Sequence, residues 1–164
     1  MGFRRVPSAK NTRLIQGDLM KKLVIASLCA VAFSANALEV GLSVGRDRNV
    51  DDTLYVLSAG TSVAGLKVSA EAGGVLDKYA TIGASVGREF KVWRVGVTPH
   101  AGLGYISTDV AGKESGGVGS TGVEVSVPLF KGVSAVVDYT YNWDIQSKTD
   151  FRGGIFTAGV RMSF

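Results

Sequence analysis

Over most of this chain, apolar residues recur at every second position. From Leu38 to Phe164 the sequence divides into stretches of roughly ten residues with this period, interrupted by clusters of Gly, Asp, Asn and Ser, and no helical period intervenes. A period of two sends successive side chains to opposite faces of a strand, so each stretch predicts a strand with one apolar face. Eight strands are predicted, at about 38–46, 53–64, 66–74, 79–89, 92–106, 118–129, 133–143 and 154–164. Their connections alternate as well. Tight ones fall at Ala64-Gly65, Phe90-Lys91 and Lys131-Gly132, and longer polar ones at 47–52, 75–78, 107–117 and 144–153.

The two faces differ in kind. One reads Leu42, Val44; Tyr55, Leu57; Val68, Ala70; Ile82, Ala84, Val86; Val95, Val97, Leu103; Val123, Val125, Val127; Val137, Tyr139; Phe156, Val160, Met162, and carries no charge. The other is mainly Gly, Ser and Thr, with isolated Glu39, Lys67, Glu71, Arg94, His100, Glu124, Asp138 and Arg161. A soluble barrel would turn the apolar face inward and expose the polar one. Soluble surfaces, however, carry about a quarter to a third charged residues, and this polar face is glycine-rich and nearly bare of Lys and Glu. The inverse arrangement fits: lipid outside, small polar side chains filling a narrow interior. Hydrocarbon offers backbone groups no partner, so such a sheet must close on itself. The expectation is all-β, an eight-stranded antiparallel up-and-down transmembrane β-barrel.

The aromatics sort to strand ends. Trp93, Phe130 and Phe164 fall at one end, Tyr55, Tyr105, Tyr141, Trp143 and Phe156 at the other, as two interfacial girdles would require.

The formal charge of +4 misleads about partners. Residues 1–37 hold six of the 18 Lys and Arg but only one acidic residue, Asp18, leaving 12 basic and 13 acidic residues in 38–164. No basic face remains to suggest nucleic acid. The excess accompanies an export signal: Lys21 and Lys22, the apolar run Leu23 to Phe33, then Ser34-Ala35-Asn36-Ala37 as an A-x-A cleavage site. That run is too short for a spanning helix, which needs roughly 20 residues. The expected organisation is an upstream extension or misassigned start at 1–19, a signal peptide at 20–37 and a barrel at 38–164. Cys29 would leave with the leader, so no thiol or disulfide chemistry is expected of the barrel.

With leader, strand count, alternating short and long connections and the terminal Phe164, the chain resembles the small eight-stranded outer-membrane proteins of the OmpA membrane-domain, OmpX and Ail group. The resemblance spans Leu38 to Phe164. It implies a monomer in the bacterial outer membrane, among outer-membrane lipids and lipopolysaccharide, with both termini periplasmic and the longer loops extracellular. It also implies that Phe164 marks the last strand for the outer-membrane assembly machinery.

Motifs suggestive of chemistry lack their context. Gly41-Leu-Ser43-Val-Gly45 and Gly83-Ala-Ser85-Val-Gly87 match a nucleophile elbow, which needs a strand-to-helix turn. Gly117-Val-Gly119-Ser-Thr-Gly122 matches a dinucleotide loop, but a strand follows where a helix is required. His100 is the sole histidine. It would be a catalytic base in barrels that trim lipid A, yet those carry a Ser two residues on, where this chain has Gly102. Approximate pairing places His100 inside the barrel, beside Glu124 and near Thr81 and Glu71. No enzyme activity, cofactor or metal is expected. The interior charges Glu39, Glu71, Arg94, His100, Glu124, Asp138 and Arg161 read as a structural network, because buried charges must be paired. The expected role is envelope integrity or surface interaction with an unidentified ligand through the exposed loops. A narrow channel and a lipid A-modifying barrel are the alternatives.

Overall fold

The computed structural model describes residues 38–63, 65–145 and 151–164. Residues 1–37, with the expected leader and Cys29, Ala64 of one expected turn and 146–150 of the last long connection lie outside the described residues.

Nine strand segments follow one another: β1 (Leu38–Asp47), β2 (Asp52–Val63), β3 (Leu66–Val75), β4 (Tyr79–Gly87), β5 (Phe90–Val92), β6 (Val95–Thr108), β7 (Gly116–Phe130), β8 (Val133–Asp144) and β9 (Gly153–Ser163). Every pairing is antiparallel, and sequence neighbours pair throughout except β4 and β5, which both pair β6, while β9 pairs β1. Leu42 opposite Val160 closes the ring. β5 continues β4 along β6, so the closed sheet has eight staves.

The register explains why β4 and β5 are separate. Gly87 faces His100 and Phe90 faces Val97, so the two segments keep one register across Arg88 and Glu89. The gap lies opposite Pro99, which has no N–H to donate; Arg88 N–H still donates to Pro99 O at 3.2 Å. The hairpin then turns at Trp93-Arg94, not at Phe90-Lys91 as the sequence suggested. Trp93 takes φ +56°, as two-residue hairpin turns demand, without the Gly or Asn that usually announces one.

The outward face is the expected one. Leu42, Val44, Tyr55, Leu57, Val86, Leu103, Tyr105, Val123, Val137, Tyr139, Phe156 and Val160 are all exposed. Long connections gather at one end of the barrel, here the loop end, and short ones at the other, the turn end. The inner face departs from the small polar expectation at the loop end, where the only extended cluster of buried apolar side chains among the described residues lies.

Candidate functional site

The lumen holds the chemistry, and its two halves are built differently. In the turn half, charges from four staves converge. Lys67 on β3 sets its Nζ 2.9 Å from Glu39 Oε2 on β1 and 3.2 Å from Glu124 Oε1 on β7. Arg161 on β9 donates from Nη1 to Glu124 Oε1 at 2.6 Å and from Nη2 to Glu124 Oε2, a bidentate pair, and its Nε lies 3.6 Å from Glu39 Oε2. Two cations thus share two carboxylates. Glu39 and Arg161 are diagonal neighbours on paired strands, but the Lys67–Glu39, Lys67–Glu124 and Arg161–Glu124 contacts each skip at least one stave, so those bonds brace the lumen across its width.

His100 makes a second link. Its Nε2 lies 2.7 Å from Asp138 Oδ2, and Asp138 also accepts from Thr140 Oγ1 at 2.6 Å. His100 faces Gly122 on β7, two residues from the expected Glu124, and Gly87 on β4 instead of Thr81. Its side chain reaches β8 over Gly122. A Cβ there would stand 2.7 Å from His100 Nε2, so glycine clears the path.

Glu71 lines the same cavity, of about 140 Å³, and makes no hydrogen bond or ion pair among the described residues. Arg94 is not brought into this network. It sits in the exposed β5–β6 turn, because the hairpin turns three residues later than the sequence suggested.

In the loop half the lumen is filled mainly by apolar side chains, with the buried polar Asp47 and Asn142 among them. Leu54, Val75, Tyr79, Ile106 and Val118 point inward from five staves, and Phe151, from the connection after β8, closes over them. Tyr79 and Phe151 meet edge to face, centroids 5.1 Å apart, with Lys113 Nζ 4.5 Å above the Phe151 ring. Tyr79 hydroxyl donates to the buried Asp47 carboxylate, whose other oxygen accepts from Asn49 N and Nδ2 at 2.7 and 2.8 Å. Beyond this plug, on the solvated rim, Lys78 Nζ bonds Asp52 at 3.0 Å and Val50 O at 3.3 Å. That Lys78 bond holds the Asp52 carboxyl below its ordinary value.

The plug and the bridging role of Lys67 escaped the sequence reading. A signal was there: in Leu54-Tyr55-Val56-Leu57 and Gly154-Ile155-Phe156 the alternation lapses, with apolar residues on both parities. Lapses near the loop end mark an interior that has itself become apolar.

The aromatics lie toward the two ends of the barrel. Tyr55, Tyr105, Tyr141, Trp143 and Phe156 are exposed toward the loop end, and Trp93, Phe130 and Phe164 toward the turn end, Phe164 N–H donating to Leu38 O at 2.9 Å. Trp93, however, occupies the turn itself and not a strand face. Ser85 bonds Ser69 at 2.8 Å inside the lumen, as a wall contact between β4 and β3. Among the described residues no group of three or more His, Cys, Asp or Glu is placed to hold a metal.

No family model and no curated relative matches the sequence. Solved structures do resemble it. The N-terminal β-barrel domain of Pseudomonas aeruginosa OprF superposes with TM-score 0.64 at 14% identity, covering 79% of this chain and 98% of that one. The Yersinia pestis outer-membrane protein Ail gives 0.54 at 11% identity, covering 78% and 99%. The outer-membrane enzyme PagL gives 0.52 at 14% identity, covering 77% and 98%. At such identities the likeness speaks to architecture, and architecture alone does not assign an activity. What ring closure, outward apolar band and these superpositions establish together is that the described residues have the fold of the small eight-stranded outer-membrane β-barrels.

Proposed function

We propose that this protein resides in the bacterial outer membrane as a non-enzymatic barrel, with turns and termini on the periplasmic side and loops outside, and that it serves envelope integrity or surface contact through those loops. The observation that carries this reading is how the lumen is filled. Cross-lumen ion pairs occupy one half and an apolar plug the other, so the interior is committed to holding the barrel together. Specific contacts are then left to Arg46 to Asp52, Thr108 to Gly117 and Asp144 to Gly154.

A deletion strain compared with its parent for detergent sensitivity and host-cell binding tests the role. Unchanged behaviour in both assays counts against it. Planar-bilayer conductance separates the channel alternative: an apolar plug excludes water from the path, so the barrel is expected to be silent. For the lipid A alternative, His100 has its Nε2 committed to Asp138 inside the lumen, whereas a base acting on lipid must face lipid. Mass spectrometry of lipid A from the deletion strain is expected to be unchanged.

A further inference from the structure

The turn end carries a charge pattern the loop end lacks. Its described cations outside the lumen are Arg88, Lys91, Arg94 and Lys131, against one carboxylate side chain, Glu89, which stands 3.7 Å from Lys91. Arg88, Arg94 and Lys131 have no carboxylate partner among the described residues. At the loop end, by contrast, the balance is reversed: the described carboxylates outnumber the cations by seven to five, and Arg46 bonds Asp51 at 2.8 Å and Lys78 bonds Asp52.

Arg88 is the telling member. By parity it belongs to the outward face, between Val86 and Phe90, on a stave whose other outward residues are apolar. A cation there is tolerated only if its head reaches the polar boundary. Its Cζ lies 5.7 Å from the centroid of the Phe90 ring, two residues nearer the turn, so the side chain runs toward the turn end. Arg94 sits in the β5–β6 turn and Lys131 in the β7–β8 turn. These hairpins are adjacent through the β6–β7 ladder, so the cations share one side of the rim with exposed Phe90, Trp93 and Phe130.

We propose that this side of the turn end binds the headgroups of anionic glycerophospholipids in the leaflet it faces. The planar Arg88 guanidinium can bind two phosphate oxygens at once, Arg94 and Lys131 supply further positive charge, and the aromatic rings anchor at headgroup depth. The inference rests on the bilayer reading above.

The two tryptophans lie at opposite ends, Trp93 in the turn and Trp143 near the loops, and provide the test. Barrel purified from membranes is reconstituted in phosphatidylcholine vesicles containing brominated phosphatidylglycerol or, at equal mole fraction, brominated phosphatidylcholine. Trp143→Phe leaves Trp93 as reporter, and Trp93→Phe leaves Trp143. The expected result is at least twofold stronger quenching of Trp93 by the brominated anionic lipid, reduced by salt and abolished in Arg88→Gln/Arg94→Gln/Lys131→Gln, with no lipid preference at Trp143. Equal quenching of Trp93 by the two lipids, or a preference that survives the triple substitution, overturns the proposal. Should the triple variant fail to fold, Arg88→Gln alone is expected to halve the preference, and an unchanged preference sinks the idea. No quenching of either tryptophan by either lipid would remove the bilayer reading itself.

Discussion

The two halves of the lumen are enclosed by the same strands in the same register, yet they are filled by opposite chemistry. In the turn half Lys67 and Arg161 sit between Glu39 and Glu124; in the loop half Leu54, Val75, Tyr79, Ile106, Val118 and Phe151 pack on one another. The contrast bears on how each tolerates damage. Apolar packing is non-directional, so losing one member leaves a gap and a proportionate loss. An ion-pair brace is all or nothing, because removing one charge strands its partners where water is scarce.

That difference predicts the most damaging change. Arg161→Met removes the bidentate partner of Glu124 and a neighbour of Glu39, and is expected to cost about 3–5 kcal/mol, as uncompensated buried charges do. Unfolding of the reconstituted barrel by urea measures it. Adding Glu124→Met in the same chain is expected to recover a large part, since Lys67 then pairs with Glu39 alone. If the double substitution is no better than the single one, stranded charge is not the cause, and the contrast between the halves weakens.

Next comes the plug. Ile106→Ala is expected to cost about 2–5 kcal/mol, the range for large-to-small changes at packed sites; Ile106 is 2% exposed. Here a second apolar truncation, Val118→Ala, should not rescue the first but deepen the loss. Rescue in one half and accumulation in the other is the signature that the two are held by different physics. Single-channel recording on Ile106→Ala adds a readout: current in the truncated barrel, absent from the parent, identifies the plug as the barrier to water.

The wall was legible in the sequence, and its filling only partly so. Alternation such as Leu42, Val44 against Ser43, Gly45 fixes which face a residue takes, since period two follows from backbone geometry alone. Register across a turn is another matter. Nothing in Phe90-Lys91-Val92-Trp93-Arg94-Val95 marks a turn residue, so the sequence does not locate the hairpin tip, and with the tip goes the placing of Arg94 in the lumen and of His100 opposite Thr81; the pairing of His100 with Gly122 and not Glu124 is set separately, across the long β6–β7 connection. Cross-lumen partners such as Lys67 and Glu124 depend on closing the whole ring, which no local pattern encodes. Phe151 lies in a connection, where periodicity gives no guidance.

A subtler change tests the clearance inside the ionic half. Gly122→Ala adds a Cβ 2.5 Å from Tyr139 O and 2.7 Å from His100 Nε2. The ring can shift, but the backbone oxygen is held by the ladder, so a loss of about 1–3 kcal/mol is expected, as for overpacking elsewhere. Ser120→Ala, two residues along the same face, serves as the control and should be close to neutral. Equal tolerance at the two positions would mean that the passage over Gly122 is wider than its contacts indicate.

The mildest effect is expected at His100, and it separates a brace from a site. His100→Ala removes one bond to Asp138, which keeps the bond from Thr140 Oγ1 at 2.6 Å. Without Arg161 two carboxylates are left sharing Lys67, whereas Asp138 loses only one of its two partners, so the loss should be about 1.5 kcal/mol, the low end for a hydrogen bond to a charged group. Because the imidazole passes over Gly122, the two residues are coupled: in the double variant with Gly122→Ala, part of the clash has already been removed, and the summed cost should fall short of additivity by a measurable margin. Additive costs would place the Gly122 clash with the backbone of β8 and not with the ring. Lipid A from cells producing His100→Ala gives the independent check, since a bond that only braces the wall can be removed without altering any lipid. A folded His100→Ala barrel whose cells lose a lipid A species would instead assign His100 a chemical role, and the ionic half of the lumen would then have to be reinterpreted as a catalytic interior.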